Sequence, residues 1–222
     1  MADLVQPIVI SKAWCHEAAV HSAMLASLGI ATDVNLTPDE GARLATWLSG
    51  RFTKTVRRAS DSQLSKLLAW AQETGHSLSR IDDDRGTALA FAPLAYEDFP
   101  KCLRTLQVSG TDYPWSNQLF APDVQGPTVL VLRGLTTGKA AAQAAHGLWK
   151  WYLYLTSDAP DVDRWGLAGN PINLFFVNSE SLQTAQALGG RAVIDAGLTE
   201  IEPNTLTAVA LPIGIKWERP LT

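Results

Sequence analysis

Residues 136–147, TTGKAAAQAAHG, carry a lysine, a glutamine and a histidine within one alanine-rich run. Lys139, Gln143 and His146 follow one another at spacings of four and three residues. If the run is helical, these spacings place the three side chains on one face. A lysine ammonium can stabilise a developing oxyanion or contact a phosphate group. The run is therefore a candidate wall of an active site; the competing interpretation is a solvated helix end followed by a hydrogen-bonded core amide.

The lysine does not belong to a Walker phosphate-binding loop. That loop needs four residues between its glycines and a hydroxyl residue after the lysine, which holds magnesium. Only three residues separate Gly134 from Gly138, and Ala140 follows Lys139. A nucleoside triphosphatase is thereby excluded. Lys139 instead stands in the first turn of a predicted helix, where a cation opposes the macrodipole and N–H groups are offered to an anion.

A second polar segment, DAGLTEIEPNTLTAVAL (195–211), carries Asp195 and Thr199. A carboxylate can accept a proton from water or fix a nearby lysine, and a hydroxyl can position the water or act as a nucleophile. An aspartate and a threonine four residues apart are equally typical of an ordinary turn. The histidines lack the spacing of a metal site, so no metal and no cofactor are predicted.

The elements that would position these residues alternate between apolar strands and capped helices. β-branched and alternating runs predict strands, whereas helical apolar periods bounded by Thr, Pro, Ser or Gly predict helices. The first half contains a strand at 5–11, helices at 15–29 and 37–50, a strand at 51–59, a helix at 62–75, and strands at 76–81 and 87–94. Residues 105–127 are loop-like.

The same order of elements returns in the second half. It contains a strand at 126–134, a helix at 137–155, a short helix or turn at 157–169, a strand at 170–178, a helix at 179–190, and strands at 191–197 and 205–214. A shift of 118 residues aligns Trp47 with Trp165, Ser60 with Asn178 and Leu64 with Leu182. The predicted fold is α/β, with two tandem copies of a small mixed four-stranded sheet and flanking helices, as a pseudo-dimer.

The predicted domains are a first copy at 1–104, a linker at 105–124 and a second copy at 125–222. The formal net charge of −4 argues against a protein coated in nucleic acid and is compatible with a local basic patch. The chain start lacks the features of a signal peptide, and no stretch approaches the length of a membrane span. The two cysteines lack partner spacing. We therefore expect a cytoplasmic protein without a membrane partner.

Together, the two polar segments resemble the motifs of the type 2 peptidyl-tRNA hydrolase family. GKAAAQAAH (138–146) is similar to the family's glycine–lysine motif, and the segment at 195–211 is similar to its Asp-Ala-Gly-x-Thr motif. The resemblance covers residues 126–214. It implies hydrolysis of the ester between a peptide and the tRNA 3′ end, with peptidyl-tRNA as the partner. It also implies catalytic roles for Lys139, Asp195 and Thr199.

The resemblance implies substrate-binding roles for Gln143, Thr207 and Arg133. RGLTTGK (133–139) is shorter than the family's loop and lacks its aspartate and second lysine. Leu198 stands where the family often has arginine. These departures keep two alternatives open. One is a module that binds tRNA or a protein without hydrolysis, and the other is hydrolysis of a different ester or amide.

The first copy departs further from the family pattern. Depending on the gap chosen, His16 or Ala18 falls at the position of Lys139, and Val20 or Ser22 at that of Gln143. The aspartate–threonine motif is missing, and Thr87 matches only the later Thr207. We expect this copy to keep the fold without the chemistry, and to pair with the second copy within the chain.

A basic run in the first copy could contact the tRNA backbone, which needs cations. RFTKTVRR (51–58) contains Arg51, Lys54, Arg57 and Arg58, which would replace contacts that the shortened loop lacks. Strand alternation would put Arg51 and Arg57 on one face and Lys54 and Arg58 on the other. The alternative is a charged edge strand that resists aggregation.

Overall fold

The computed structural model describes residues 3–13, 15–33, 35–84, 86–108, 110–116, 126–155, 165, 169–195, 201–215 and 217. The chain divides into two compact units. The first, here the N-terminal unit, comprises Met1–Ser116 together with Thr136–Ala142. The second, the C-terminal unit, comprises Asn117–Leu135 and Gln143–Thr222. The helix that carries Lys139 and Gln143 therefore begins in the first unit and continues in the second.

The N-terminal unit is built on one mixed sheet with helices between its strands. In chain order its elements are β1 (Leu4–Ala13), α1 (His16–Gly29), α2 (Pro38–Ser49), β2 (Thr53–Arg58), α3 (Asp61–Thr74), β3 (Leu78–Asp83), β4 (Gly86–Phe91), β5 (Leu94–Ala95) and α4 (Lys101–Arg104). The strand order is β2-β1-β4-β3, and β5 also pairs with β1. β1 runs parallel to β2 and antiparallel to β4. Because β2 stands first in the strand order, it is an edge strand.

Local sequence signals account for the helix boundaries of this unit. Thr37 caps α2, and its side chain and that of Glu40 form a reciprocal capping box. Ser60 and Gln63 form the same motif at the start of α3. α3 ends at Gly75, whose φ of +68° lies in the left-handed region that glycine adopts without strain. The apolar faces of these elements enclose a core that includes Val9, Leu67, Leu89 and Phe91.

The C-terminal unit repeats the arrangement. Its elements are β6 (Thr128–Leu132), α5 (Thr137–Leu155), β7 (Asn173–Val177), α6 (Ser179–Ala187), β8 (Arg191–Ile194) and β9 (Leu206–Leu211). The strand order is β7-β6-β9-β8, with β6 parallel to β7 and antiparallel to β9. Its core includes Leu130, Phe175, Leu182 and Val209.

Matching details within the two units are consistent with an internal duplication. The indole nitrogen of Trp47 donates to the carbonyl oxygen of Thr53, and that of Trp165 donates to Pro171, both over 2.7 Å. Both bonds span six residues. Ser60 caps α3, and Asn178 caps α6 in the same way. The predicted fold, an α/β chain with two mixed four-stranded sheets flanked by helices, is confirmed.

Some predicted elements differ from those observed. β8 ends at Ile194, before the predicted end of its strand at 197, and α4 and β5 were not anticipated because such short elements show no period. Of the short helix or turn predicted at 157–169, only residues 165 and 169 are described. Across the described ranges, no helix is both long enough and apolar enough to cross a membrane.

Candidate active site

Two backbone N–H groups in the first turn of α5 donate hydrogen bonds to other residues of the chain. The backbone N–H of Lys139 donates to Thr136 Oγ1 over 3.4 Å, and the N–H of Gly138 donates to the carbonyl oxygen of Thr111 over 3.1 Å. A helix leaves its first N–H groups without intrahelical partners, and here these two are satisfied internally. The expectation that they are offered to an anion is therefore wrong.

Gln143 lies one turn after Lys139 and meets two residues that are distant in sequence. Its amide nitrogen donates to Asp195 Oδ2 over 2.6 Å, and its amide oxygen accepts from the hydroxyl of Thr207 over 2.9 Å. The exposed fractions of Gln143, Asp195 and Thr207 are 7%, 8% and 0%. A buried amide that donates on one side and accepts on the other has its orientation fixed. The three residues form a polar chain inside the C-terminal unit.

The sheet and the loop that follows it place Asp195. The residue comes directly after Ile194, the last residue of β8. Its N–H donates to the carbonyl oxygen of Thr205 over 2.9 Å, and its carbonyl oxygen accepts from the N–H of Asn204 over 2.8 Å. Asn204 has a φ of +65°, a left-handed conformation that asparagine tolerates better than most residues. Thr207 lies on β9, the strand next to β8, and its hydroxyl contacts the same Gln143 amide as Asp195 does.

Other predicted site residues lie on the same or adjoining elements. Lys139 is half-buried and precedes Gln143 by four residues, so both lie on one face of α5. Arg133 directly follows β6, its side chain is exposed, and its N–H donates to the carbonyl oxygen of Val177 over 2.8 Å. Thr199 lies outside the described residues.

Among its described residues, the N-terminal unit has no counterpart of this polar chain. α1 and α5 start 121 residues apart, at His16 and Thr137, so Ala18 takes the position of Lys139 and Ser22 that of Gln143. The hydroxyl of Thr87 donates to Asp82 over 2.7 Å, a direct pair without an intervening amide. The first copy therefore keeps the threonine of the last strand, and loses the lysine and the glutamine.

The basic run at 51–58 does not present all its cations to solvent. Arg57 is only 1% exposed. Its guanidinium donates to the carbonyl oxygens of Leu103 and Arg104 over 3.1 and 3.3 Å, and to the hydroxyl of Tyr96 over 3.1 Å. Burial of Arg57 in this way ties the segment around α4 to the sheet. Arg58, its neighbour on β2, is exposed.

The other two cations of the run differ again. Lys54 is half-buried, with its ammonium 3.5 Å from the centre of the Phe52 ring. Arg51 is exposed and precedes β2, which begins at Thr53, so the predicted strand alternation does not extend to it. Arg51 and Arg58 are thus the two exposed cations of the run.

Comparisons with known proteins concern the C-terminal part of the chain. Residues 128–215 match the family described as peptidyl-tRNA hydrolase PTH2. No curated protein matches the chain. The matched range includes the polar chain, Lys139, Arg133 and Thr199. It begins after the last strand of the N-terminal unit's sheet. The similarity to the peptidyl-tRNA hydrolase PTH2 family therefore covers residues 128–215, which is less than half of the chain.

Proposed function

We propose that the protein hydrolyses the ester bond of peptidyl-tRNA and releases a free peptide and a free tRNA. The observation that carries this proposal is the buried hydrogen-bonded chain Asp195–Gln143–Thr207, which lies wholly within the family-matched range. A carboxylate whose orientation is fixed by a buried amide suits a general base, because proton transfer needs a defined geometry.

The proposed reaction begins with water. Asp195 accepts a proton from the water while the water oxygen attacks the acyl carbon of the ester. Gln143 donates to Oδ2 of this carboxylate and so sets its orientation. Thr199 positions the water. The C–O bond to the tRNA ribose then breaks, and its 3′ oxygen takes the proton back from Asp195, so that the products are a peptide acid and a tRNA with a free 3′ hydroxyl.

Lys139 has the second role in this proposal. The attack converts the ester carbonyl oxygen into an oxyanion, and an ammonium group nearby lowers the free energy of that intermediate. Gln143 and Thr207 then act on Asp195 as orienting residues, which refines the substrate-binding role that the sequence suggested for them. Arg133, Arg51, Lys54 and Arg58 are proposed contacts for tRNA phosphates. Arg57 is left out of this set because its guanidinium is buried.

The test is cleavage of an N-acylated aminoacyl-tRNA by purified variants. Lys139→Ala and Asp195→Asn should each lower kcat by about a hundred-fold or more, the usual effect of losing an oxyanion donor or a general base. Lys66→Ala is the matched control, because Lys66 is an exposed lysine in α3. Wild-type turnover with unchanged kcat in both variants would overturn the catalytic assignment.

The alternative is a module that binds tRNA or a protein without hydrolysis. The short loop before Lys139 and the leucine at position 198 motivate it. Salt-dependent tRNA binding without any turnover by the wild-type protein would favour this alternative. Turnover of small esters with no turnover of N-acylated aminoacyl-tRNA would instead indicate a different substrate.

A further inference from the structure

The buried hydroxyl of Thr137, the first residue of α5, is the centre of a polar cluster in the N-terminal unit. The residue is 0% exposed. Its Oγ1 lies 2.9 Å from His16 Nδ1, 3.0 Å from Asp112 Oδ1 and 2.9 Å from the backbone nitrogen of Tyr113. Three polar partners around one hydroxyl use its single proton and both of its lone pairs.

Counting protons fixes the direction of each bond. The N–H of Tyr113 donates to the hydroxyl. The hydroxyl donates its proton to the Asp112 carboxylate, which carries no proton to give. His16 Nδ1 must therefore carry a proton and donate to Thr137. Burial lowers the pKa of His16, against the opposing effect of Glu17 and Asp112, so the ring is neutral with its proton on Nδ1.

Residues 110–116, here called the strap, make further contacts on both sides of this cluster. Thr111 accepts from the N–H of Gly138 over 3.1 Å, and Pro114 accepts from the N–H of His16 over 2.8 Å. The ring of Trp115 stacks on His16 with centres 3.8 Å apart and planes 17° apart. The strap therefore contacts the first residues of both α1 and α5.

We propose that Thr137 and His16 are positioning residues for Lys139, and that the strap holds them together. The inference rests on the proposed function of Lys139. Lys139 stands two residues after Thr137 in the same helical turn, so the contacts of Thr137 restrain the backbone from which the lysine side chain extends. In this proposal the first copy supplies His16, which supports the reaction at Lys139 in the second copy without touching the substrate.

The hydroxyl matters here, and the shape of the side chain does not. Valine has nearly the shape of threonine and would fill the same buried space. It would remove the hydroxyl that accepts from His16 Nδ1, whereas the N–H of Tyr113 would keep its bond of 3.1 Å to Asp112 Oδ1. A buried donor without an acceptor is costly, so the first turn would shift to relieve it. Serine keeps the hydroxyl and should keep the position.

The experiment compares Thr137→Val with Thr137→Ser in peptidyl-tRNA cleavage. Because small displacements of a catalytic group cost much rate, we expect kcat to fall by about ten-fold in Thr137→Val, with KM within about two-fold. Thr137→Ser should restore kcat to within about two-fold of the wild type. Thr87→Val is the matched control, since Thr87 is a buried threonine bonded to an aspartate in the same unit.

Two variants of His16 test the other partner. His16→Asn keeps a donor near the position of Nδ1, whereas His16→Phe keeps the stack on Trp115 and removes the donor. His16→Phe should lower kcat as Thr137→Val does, and His16→Asn should lower it less. Hydrogen exchange at the amides of Gly138 and Lys139 gives a readout without turnover, and should be faster in Thr137→Val and His16→Phe.

A wild-type kcat in folded Thr137→Val, or an equal fall of kcat in Thr87→Val, would overturn the positioning role. If the wild-type protein does not cleave peptidyl-tRNA, the proposed function fails instead. Hydrogen exchange then still decides the matter, because unchanged exchange at Gly138 and Lys139 would show that Thr137 and His16 do not hold the turn.

Discussion

Gln143 and Asp195 lie 52 residues apart in the sequence, and the amide of one donates to the carboxylate of the other over 2.6 Å. The same amide accepts from Thr207 on the next strand. A glutamine that could bind substrate from an open helix face is thus engaged from both ends within the protein. In the proposed reaction, its contribution is to set the orientation of Asp195.

Gln143→Leu removes both bonds while it keeps a buried side chain of similar length. We expect kcat for peptidyl-tRNA cleavage to fall about ten-fold or more, because Asp195 loses its fixed orientation. KM should change little. Steady-state kinetics on the purified variant measures both constants, and Gln183→Leu at an exposed position of α6 is the control. A larger change in KM than in kcat would instead indicate that Gln143 binds the substrate.

Thr207→Val should lower both stability and kcat. The hydroxyl is fully buried and donates to Gln143, and the isosteric change leaves the amide oxygen without that donor. The free energy of unfolding should fall by about 1–3 kcal/mol. Urea denaturation measures the loss, and Thr207→Ser, which keeps the donor, should recover kcat. Equal kcat values for the valine and serine variants would contradict the orienting role of the hydroxyl.

Arg57 and Arg58 are neighbours on β2 with opposite environments, so they form a natural pair of variants. Arg58→Ala removes an exposed cation and should weaken tRNA binding, with the slope of log K against log salt reduced by about one. Its free energy of unfolding should stay within about 0.5 kcal/mol of the wild type. Binding titrations at several salt concentrations check this.

Arg57→Met should show the reverse pattern. It leaves the carbonyl oxygens of Leu103 and Arg104 without their charged donor, so the free energy of unfolding should fall by about 2–3 kcal/mol. The salt dependence of tRNA binding by the folded variant should match that of the wild type. A reduced salt slope in Arg57→Met would mean that this side chain does reach RNA.

The buried His16 predicts a loss of stability in mild acid. Burial lowers its pKa, so the unfolded chain, with a histidine pKa of about 6.5, takes up the proton at a higher pH than the folded protein does. Stability is therefore unaffected by this group above that pH, and falls as the pH drops below it toward the folded pKa. In His16→Asn the decrease between pH 7 and pH 5 should be smaller. Urea denaturation at each pH measures it, and an identical decrease would exclude His16 as a source.

Helix boundaries and the succession of strands and helices along the chain were predictable because their signals are local. The Thr37 and Ser60 caps, the glycine after α3 and the spacing of apolar residues act within a few positions of each other. The candidate site was predictable only as separate segments. No local pattern pairs Gln143 with Asp195, because their contact depends on how β8 and β9 carry the chain back to α5.

Arg57 shows a second limit of sequence analysis. Strand alternation divides side chains between two faces, and it does not say which face a later segment will cover. In this protein the segment around α4 covers the face of Arg57 and leaves Arg58 exposed. The strap was likewise hidden from sequence analysis, because a stretch of prolines, glycines and aromatic residues without a period is typical of an unattached linker.

The strap also bears on how freely the first copy can evolve. A fragment that starts at Gly126 would contain the complete family match, yet it would lack the partners of Thr137 and Gly138. After duplication, mutations could erase the lysine and glutamine of the first copy at no loss to the host. Deletion of the first copy, in contrast, would also remove His16 and the strap, which contact the first residues of α5. On the proposed positioning role, a chain without the first copy would lose the contacts that hold Thr137 and Gly138, so the second copy would depend on the first.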